Sequence, residues 1–225
     1  ALQPNLSTAA TIFAISMIVL FVGRVRLAHL GMVIACGLGT IALYAISAPY
    51  RMQRILAYLS MHGAEGTGVS NDATYQLTQG LIAFGSGGLF GVGPGQSHQR
   101  DYVPEPFGDF IFSIIGEEYG LIGTFAILAV FALIISRGLL TARMAPDDLG
   151  RNVAAGVAIV IALYAILNAA VTTGLMPTTG LPMPFVSYGG SAVLFSAAAL
   201  GVLLNISRQA KVMTQVDPVV QPALT

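Results

Sequence analysis

Long apolar runs separated by polar, glycine- and proline-rich connections set the plan of this chain. The runs cover residues 6–23, 30–48, 110–136, 153–172 and 192–206, the last of them short and extendable back toward Ser187. A helix that crosses a bilayer needs about 17–25 mostly apolar residues. None of the runs alternates apolar with polar positions, and Ala, Leu and Ile dominate them, so helices rather than barrel strands are expected. The pattern predicts an all-α integral membrane protein with about five transmembrane helices in a single membrane domain. One connection, residues 49–109, is far longer than linkage requires, and connections of that length are commonly functional. A proline-rich connection covers 173–190, and a polar tail covers 207–225.

Charged residues make up 9% of the chain and apolar residues 55%, against about 25% charged in a typical soluble domain. A soluble globular fold is thereby excluded. The formal net charge is zero, which argues against a nucleic-acid partner. Cys36 stands alone in an apolar run, so there is no disulfide framework. The chain opens at Ala1, without Met and without a signal peptide, and is expected to be part of a longer protein. Arg24, Arg26, Arg137, Arg143, Arg151, Arg208 and Lys211 are seven of the ten basic residues, and five spans put all of them on one side. By the positive-inside rule that side is cytoplasmic, as is the tail. The start of the chain and the connections 49–109 and 173–190 are then extracytoplasmic.

The long connection has internal order. Met52, Ile55, Leu56 and Leu59 repeat at helical spacing, with Arg51 and Arg54 on the other side. Such a helix lies in the membrane interface, either as an anchor with snorkelling arginines or with its guanidinium forks holding a lipid phosphate. The stretch 75–84 leans apolar and is too short to span. It leads into Gly85-Ser-Gly-Gly-Leu-Phe-Gly-Val-Gly-Pro-Gly95, six glycines in eleven residues. No Gly-Lys-Ser/Thr completes that run, which rules out a nucleotide P-loop. A re-entrant hairpin, its irregular backbone buried in protein, fits it better. His62 and His98 lack a ligand spacing, so no zinc site is expected, and His29 reads as interfacial.

Asp109 closes this connection directly before an apolar run that contains Glu117 and Glu118. A charge at the centre of a membrane helix costs about 2.5–3.5 kcal/mol on insertion scales, so such groups usually carry function. Asp109 suits a general base acting on a lipid-linked substrate, and the same position suits a helix N-cap. At about 100° per residue, Glu117 lies about 80° and Glu118 about 180° around the helix from Asp109, so they do not face one cavity together. Asp101 reads either as a second carboxylate of the site or as a solvated loop residue. Pro177, Pro182 and Pro184 stiffen the later connection, where Ser187 or Ser191 is available to cap the last helix.

The motifs extend from end to end. They begin with Gln3-Pro4-Asn5-Leu6-Ser7-Thr8, Tyr50-Arg51 with Arg54, Tyr75-Gln76, Gly85-Ser-Gly-Gly-Leu-Phe-Gly91 and Gly93-Pro-Gly-Gln-Ser97. Pro104-Glu105, Asp109-Phe-Ile-Phe112, Gly116-Glu-Glu-Tyr-Gly120 and Asn168 follow. Gly174-Leu-Met-Pro177, Thr179-Gly180 and Leu181-Pro-Met-Pro-Phe-Val-Ser-Tyr-Gly-Gly-Ser191 complete the set. In order and spacing this resembles the SEDS family of bacterial cell-wall polymerases (FtsW, RodA, SpoVE). The resemblance implies a ten-helix fold of which this chain is the C-terminal half. It maps the family's essential aspartate onto Asp109.

The activity it implies is that of a peptidoglycan glycosyltransferase: polymerisation of lipid II, a disaccharide-pentapeptide on undecaprenyl diphosphate, at the outer face of the bacterial cytoplasmic membrane. Arg51, Arg54, Arg100 or a bound Mg²⁺ (or another divalent cation) is expected to stabilise the departing diphosphate. Gln96, Glu105, Glu117, Glu118, Ser187 and Tyr188 complete the expected substrate-binding set. A class B penicillin-binding protein is the implied partner. The family usually has Asp where Asn5 stands, so the role of that acid does not carry over. Ser97-His-Gln-Arg100 and the stretch from Gly108 to Gly120 favour the FtsW-like branch, while Gln3-Pro4 leans toward RodA. Two other functions fit the same residues: a lipid II flippase with Glu117 and Glu118 on its pathway, and a membrane scaffold for a transpeptidase.

Overall fold

The computed structural model describes residues 6–23, 25–46 and 72–216, and among them all regular structure is helical. The helices are α1 (Leu6–Val22), α2 (Leu27–Ile46), α3 (Asp72–Gly87), α4 (Ile111–Met144), α5 (Asp148–Thr172) and α6 (Gly190–Val216), with one 3-10 turn at Gln99–Asp101. Each of the five apolar runs is thus a helix. Among the described residues, α4, α5 and most of α6 are long and apolar enough to cross a membrane, and α1 and α2 are shorter apolar helices. Asn5 and the expected interfacial helix with Arg51 and Arg54 lie outside the described residues.

α4 and α5 form the central pair. α3 packs on α4, α6 on both α4 and α5, α1 on α5, and α2 on α1. Lipid is as apolar as leucine, so turning large apolar side chains inward gains little there, and helices associate through close backbone approach. The chain follows that rule. Ala142, Ala154, Ala155 and Ala158 are buried, while Phe125, Leu133 and Phe195 are exposed on outer faces. At Gly138 the contact is tight enough that an added Cβ would fall 2.8 Å from the Ala158 methyl.

Three helices run past the apolar stretches that mark them. α4 continues through Arg137 and Arg143 to Met144, and α6 through Arg208 to Val216. α5 starts at Asp148 instead of Val153, with Asp147 accepting from Gly150 N at its cap. Hydropathy registers only the part of a helix that lipid surrounds, and the hydrogen-bond ladder continues into the polar zone at no extra cost.

The expected single span 110–136 is broken. Gly120 takes φ 67°, ψ −162° inside α4. A continuous helix would aim Leu121 N and Ile122 N at the carbonyls of Glu117 and Glu118. They donate instead to Gly88 O (2.9 Å) and Leu89 O (3.3 Å), while Glu117 O accepts from Val92 N (2.9 Å) and Glu118 O from Gly93 N (3.0 Å). The glycine run is spliced into the ladder of α4. Three positions of that seam have no room for a side chain: a Cβ at Gly87 would run into Gly116 O, one at Gly91 into Glu118 O, and one at Gly120 into Gly91 N.

Gly87→Ala and Gly120→Ala are each expected to lower stability by at least about 2 kcal/mol, since backbone atoms cannot step aside for the new methyl. Gly85→Ala meets nothing within 4 Å and sits in α3, where alanine gains up to about 1 kcal/mol. Thermal melting of the full-length protein in detergent checks this. Equal melting points for all three variants would show the seam to be compliant.

Candidate active site

Asp109 is half-buried and stands just ahead of α4. The cap position belongs to Phe110 (φ −106°, ψ 14°), whose own side chain makes no cap hydrogen bond. Asp109 lies one residue ahead of the cap position and outside the helix, so the angular offsets from it to Glu117 and Glu118 do not apply. Its loop is held through successive carbonyls. Tyr188 N donates to Phe107 O (2.7 Å), Ser187 Oγ to Gly108 O (2.6 Å), and Asn168 Nδ2 to Asp109 O (2.8 Å). Ser187 Oγ also accepts from Met183 N (2.7 Å), and Asn168 Nδ2 also reaches Leu181 O (2.8 Å).

The proline-rich connection and α5 thus grip three consecutive peptide units, the last that of the carboxylate. Gly180 lies over it: a Cβ there would be 3.7 Å from Asp109 Oδ2. Glu105 (φ 55°) and Phe185 (φ 64°) hold left-handed backbone in the two facing segments. That region costs a non-glycine residue about 1–2 kcal/mol, and such strain collects at functional sites.

Glu117 changes character. Expected to bind substrate, it is 0% exposed, and its carboxylate is met by Ser97 Oγ (2.5 Å), Ser86 Oγ (3.2 Å), His98 N (3.2 Å) and Gln99 N (3.2 Å). A carboxylate in so dry a place needs donors on both oxygens, and the protein itself supplies them. Glu117 is the pin that fastens the end of α3 and the start of the Asp109 loop to α4. Ser187 is likewise 2% exposed. Its hydroxyl holds the Asp109 loop and caps no helix.

The remaining candidates are more open. Gln96, Arg100, Glu105 and Tyr188 are exposed, and Glu118 is half-buried. Arg100 Nε lies 3.6 Å from Asp101 Oδ1 on the surface. An exposed pair of that kind is worth about 0–1 kcal/mol, so Asp101 reads as a solvated residue. Tyr188, 88% exposed, borders an apolar groove of ≈650 Å³ with Phe107, Ile111, Phe185, Val193 and Leu194. A second cavity, ≈470 Å³, is lined by Gly180 together with Thr8, Tyr164, Pro184, Ser191 and Phe195. Among the described residues no three His, Cys, Asp or Glu side chains gather into a group able to hold a metal ion. No step below runs through a metal ion.

Three residues of this framework had no role in the sequence reading: Asn168, Ser86 and Ser97. Asn168 left a signal, a carboxamide in the apolar run 153–172. The serines stand in the runs Gly85–Gly91 and Gly93–Ser97, but nothing in the sequence paired them with Glu117.

The arrangement is that of a multi-pass membrane protein with a carboxylate fixed at the head of a span. Residues 1–212 match the model of the FtsW, RodA and SpoVE family, described as "Cell cycle protein". Stage V sporulation protein E of Bacillus subtilis (strain 168) is 42% identical over 211 residues, covering 93% of this chain and 56% of that protein. The probable peptidoglycan glycosyltransferase FtsW of Coxiella burnetii (strain RSA 493 / Nine Mile phase I) is 41% identical over 211 residues, covering 92% and 55%. A chain of a solved peptidoglycan synthase complex, reported for the structural coordination of polymerization and crosslinking, aligns with TM-score 0.67 and 27% identity over 93% of this chain and 57% of that one. The chain belongs to the FtsW/RodA/SpoVE (SEDS) family, and it spans about half the length of these relatives.

Glu117→Gln tests the pin. An amide keeps one acceptor oxygen and turns an NH₂ toward donors, so buried N–H and O–H groups lose their partner at about 1–3 kcal/mol each. The variant should melt well below the wild type, by at least about 2 kcal/mol. Glu118→Gln should stay within about 0.5 kcal/mol, as an ordinary substitution away from such a network. Equal melting of the two would dissolve the distinction.

Proposed function

We propose that the intact protein is a peptidoglycan glycosyltransferase that polymerises lipid II, with Asp109 as general base. The observation that carries this reading is the grip on three successive carbonyls up to Asp109. A base works only within about 2.6–3.2 Å of the proton it takes, so its backbone must not wander. A hydroxyl of the acceptor sugar attacks the anomeric carbon of the donor and passes its proton to the Asp109 carboxylate. The bond from that carbon to the diphosphate oxygen breaks, and polyprenyl diphosphate leaves with the electron pair. A single in-line displacement inverts the anomeric centre.

Arg100, with Arg51 and Arg54, is suited to the charge on the departing diphosphate. Gln96, Glu105, Glu118 and Tyr188 are the groups left to meet the sugars and peptide. The apolar groove beside Tyr188 and the cavity at Gly180 suit the polyprenyl chain. The bias of basic residues supports a site on the extracytoplasmic side of a bacterial cytoplasmic membrane.

The glycosyltransferase names of the FtsW relatives support the reaction, and the likeness to a peptidoglycan synthase chain supports pairing with a class B penicillin-binding protein that crosslinks the strands. Relatives named FtsW and SpoVE favour the FtsW-like branch. The transport reading loses one of its two carboxylates, since the protein itself supplies the donors on Glu117.

With the full-length protein and its transpeptidase, Asp109→Asn should lower lipid II polymerisation at least about 10²-fold, the usual cost of losing a general base. Its melting point should match the wild type. Near-normal turnover would remove Asp109 from this role. No polymer from folded wild type would return transport and scaffolding to the front.

A further inference from the structure

We propose that Asn168 is the positioning residue for Asp109, a single carboxamide that aims the carboxylate by tying its backbone to α5. The inference rests on the reading of Asp109 as the base.

Asn168 is 1% exposed, in the last turns of α5. A buried carboxamide in a membrane helix is costly unless its bonds are made. Its Nδ2 carries two hydrogens, and both go to carbonyls outside its own helix: Asp109 O, 59 residues away in sequence, and Leu181 O, 13 residues away, each at 2.8 Å. One planar group therefore cross-links the two segments that face each other at the site. Its Oδ1 is buried and meets no donor among the described residues. A side chain present for packing alone would be cheaper as an apolar residue, because half of this one's bonding capacity is forgone.

The lever arm is short. The carbonyl carbon that Asn168 holds is bonded to the Cα that bears the Asp109 side chain, so holding it fixes ψ at Asp109 and the direction of the Cα–Cβ bond. Ser187, through Gly108 O, holds the peptide plane on the other side of that Cα. The platform is stiff. Ile161 and Ala165, on earlier turns of α5, are buried with Phe131 and Met183, and Asn168 O accepts from Thr172 Oγ at 2.9 Å.

The test uses the full-length protein with its transpeptidase, lipid II as substrate, and rates per folded molecule from a monodisperse fraction. Asn168→Asp keeps the shape and removes the paired donors. Asn168→Ala removes the group, and the isosteric variant carries the test if the alanine form does not fold. Gly138→Ala, which crowds Ala158 far along α4, is the stability control. The Asn168 variants should lose about 10–10²-fold in kcat, the cost of misplacing a reacting group by about 1 Å, while KM changes by less than about twofold. Gly138→Ala should keep the wild-type kcat even where its melting point falls as far.

Adding Asn168→Ala to Asp109→Asn should slow the enzyme no further, because two residues acting through one carboxylate are non-additive. The proposal is overturned if the Asn168 variants match Gly138→Ala in kcat, or if their loss multiplies that of Asp109→Asn. An active Asp109→Asn would instead bring down the base itself. Inactive Asp109→Asn beside active Asn168 variants would bring down only the positioning role.

Discussion

The structure turns on an exchange of four backbone hydrogen bonds at Gly120. Within a membrane each unpaired N–H or C=O costs several kcal/mol, so a helix can break only where something else takes over its ladder. α4 breaks at Gly120, and the glycine run from Gly88 to Gly93 supplies two donors and two acceptors in return. Loop and span thereby become one unit. The seam fixes the height at which Glu117 sits, and Glu117 in turn gathers Ser86, Ser97, His98 and Gln99.

From that pin the chain runs to Asp109 as a loop fastened at both ends. Glu117 holds its beginning, and the carbonyl grip by Tyr188 N, Ser187 and Asn168 holds its end. Gln96, Arg100 and Glu105 lie between and are exposed. A rigid frame with polar, reachable side chains strung between its anchors is how functional loops keep both geometry and access. Both anchors depend on buried polar side chains that hydrogen-bond to groups far away in sequence.

Much of this was legible before any coordinates. Hydropathy and run length located all five apolar helices, because lipid imposes both. The helix ends were not legible, since α4, α5 and α6 continue into polar sequence where hydropathy is silent. Gly120 reads like any glycine in a helical run, and its break needs partners about 30 residues upstream. Asp109 announced itself as a carboxylate at the head of a span. The rule that intramembrane charge is functional found Glu117 but could not say whether substrate or protein would supply the donors. Ser187 was ambiguous for the same reason: a polar residue near a site has two possible kinds of partner, and its hydroxyl bonds to the Asp109 loop only in the folded chain. Asn168 was visible as a polar residue in an apolar run, while Asp109 and Leu181, its partners, were not.

Glycine codons share their first two bases, and any single change at either position inserts a side chain or a stop. At Gly87, Gly91 and Gly120 that side chain is driven into backbone on the opposite side of the seam, where no rotamer can yield. Outer positions such as Phe125 and Val130 are exposed, where lipid does not distinguish one apolar residue from another. Neutral drift in this protein is therefore channelled outward. Changes on the surfaces that touch lipid are expected to be tolerated, and changes at the glycines of the seam are not.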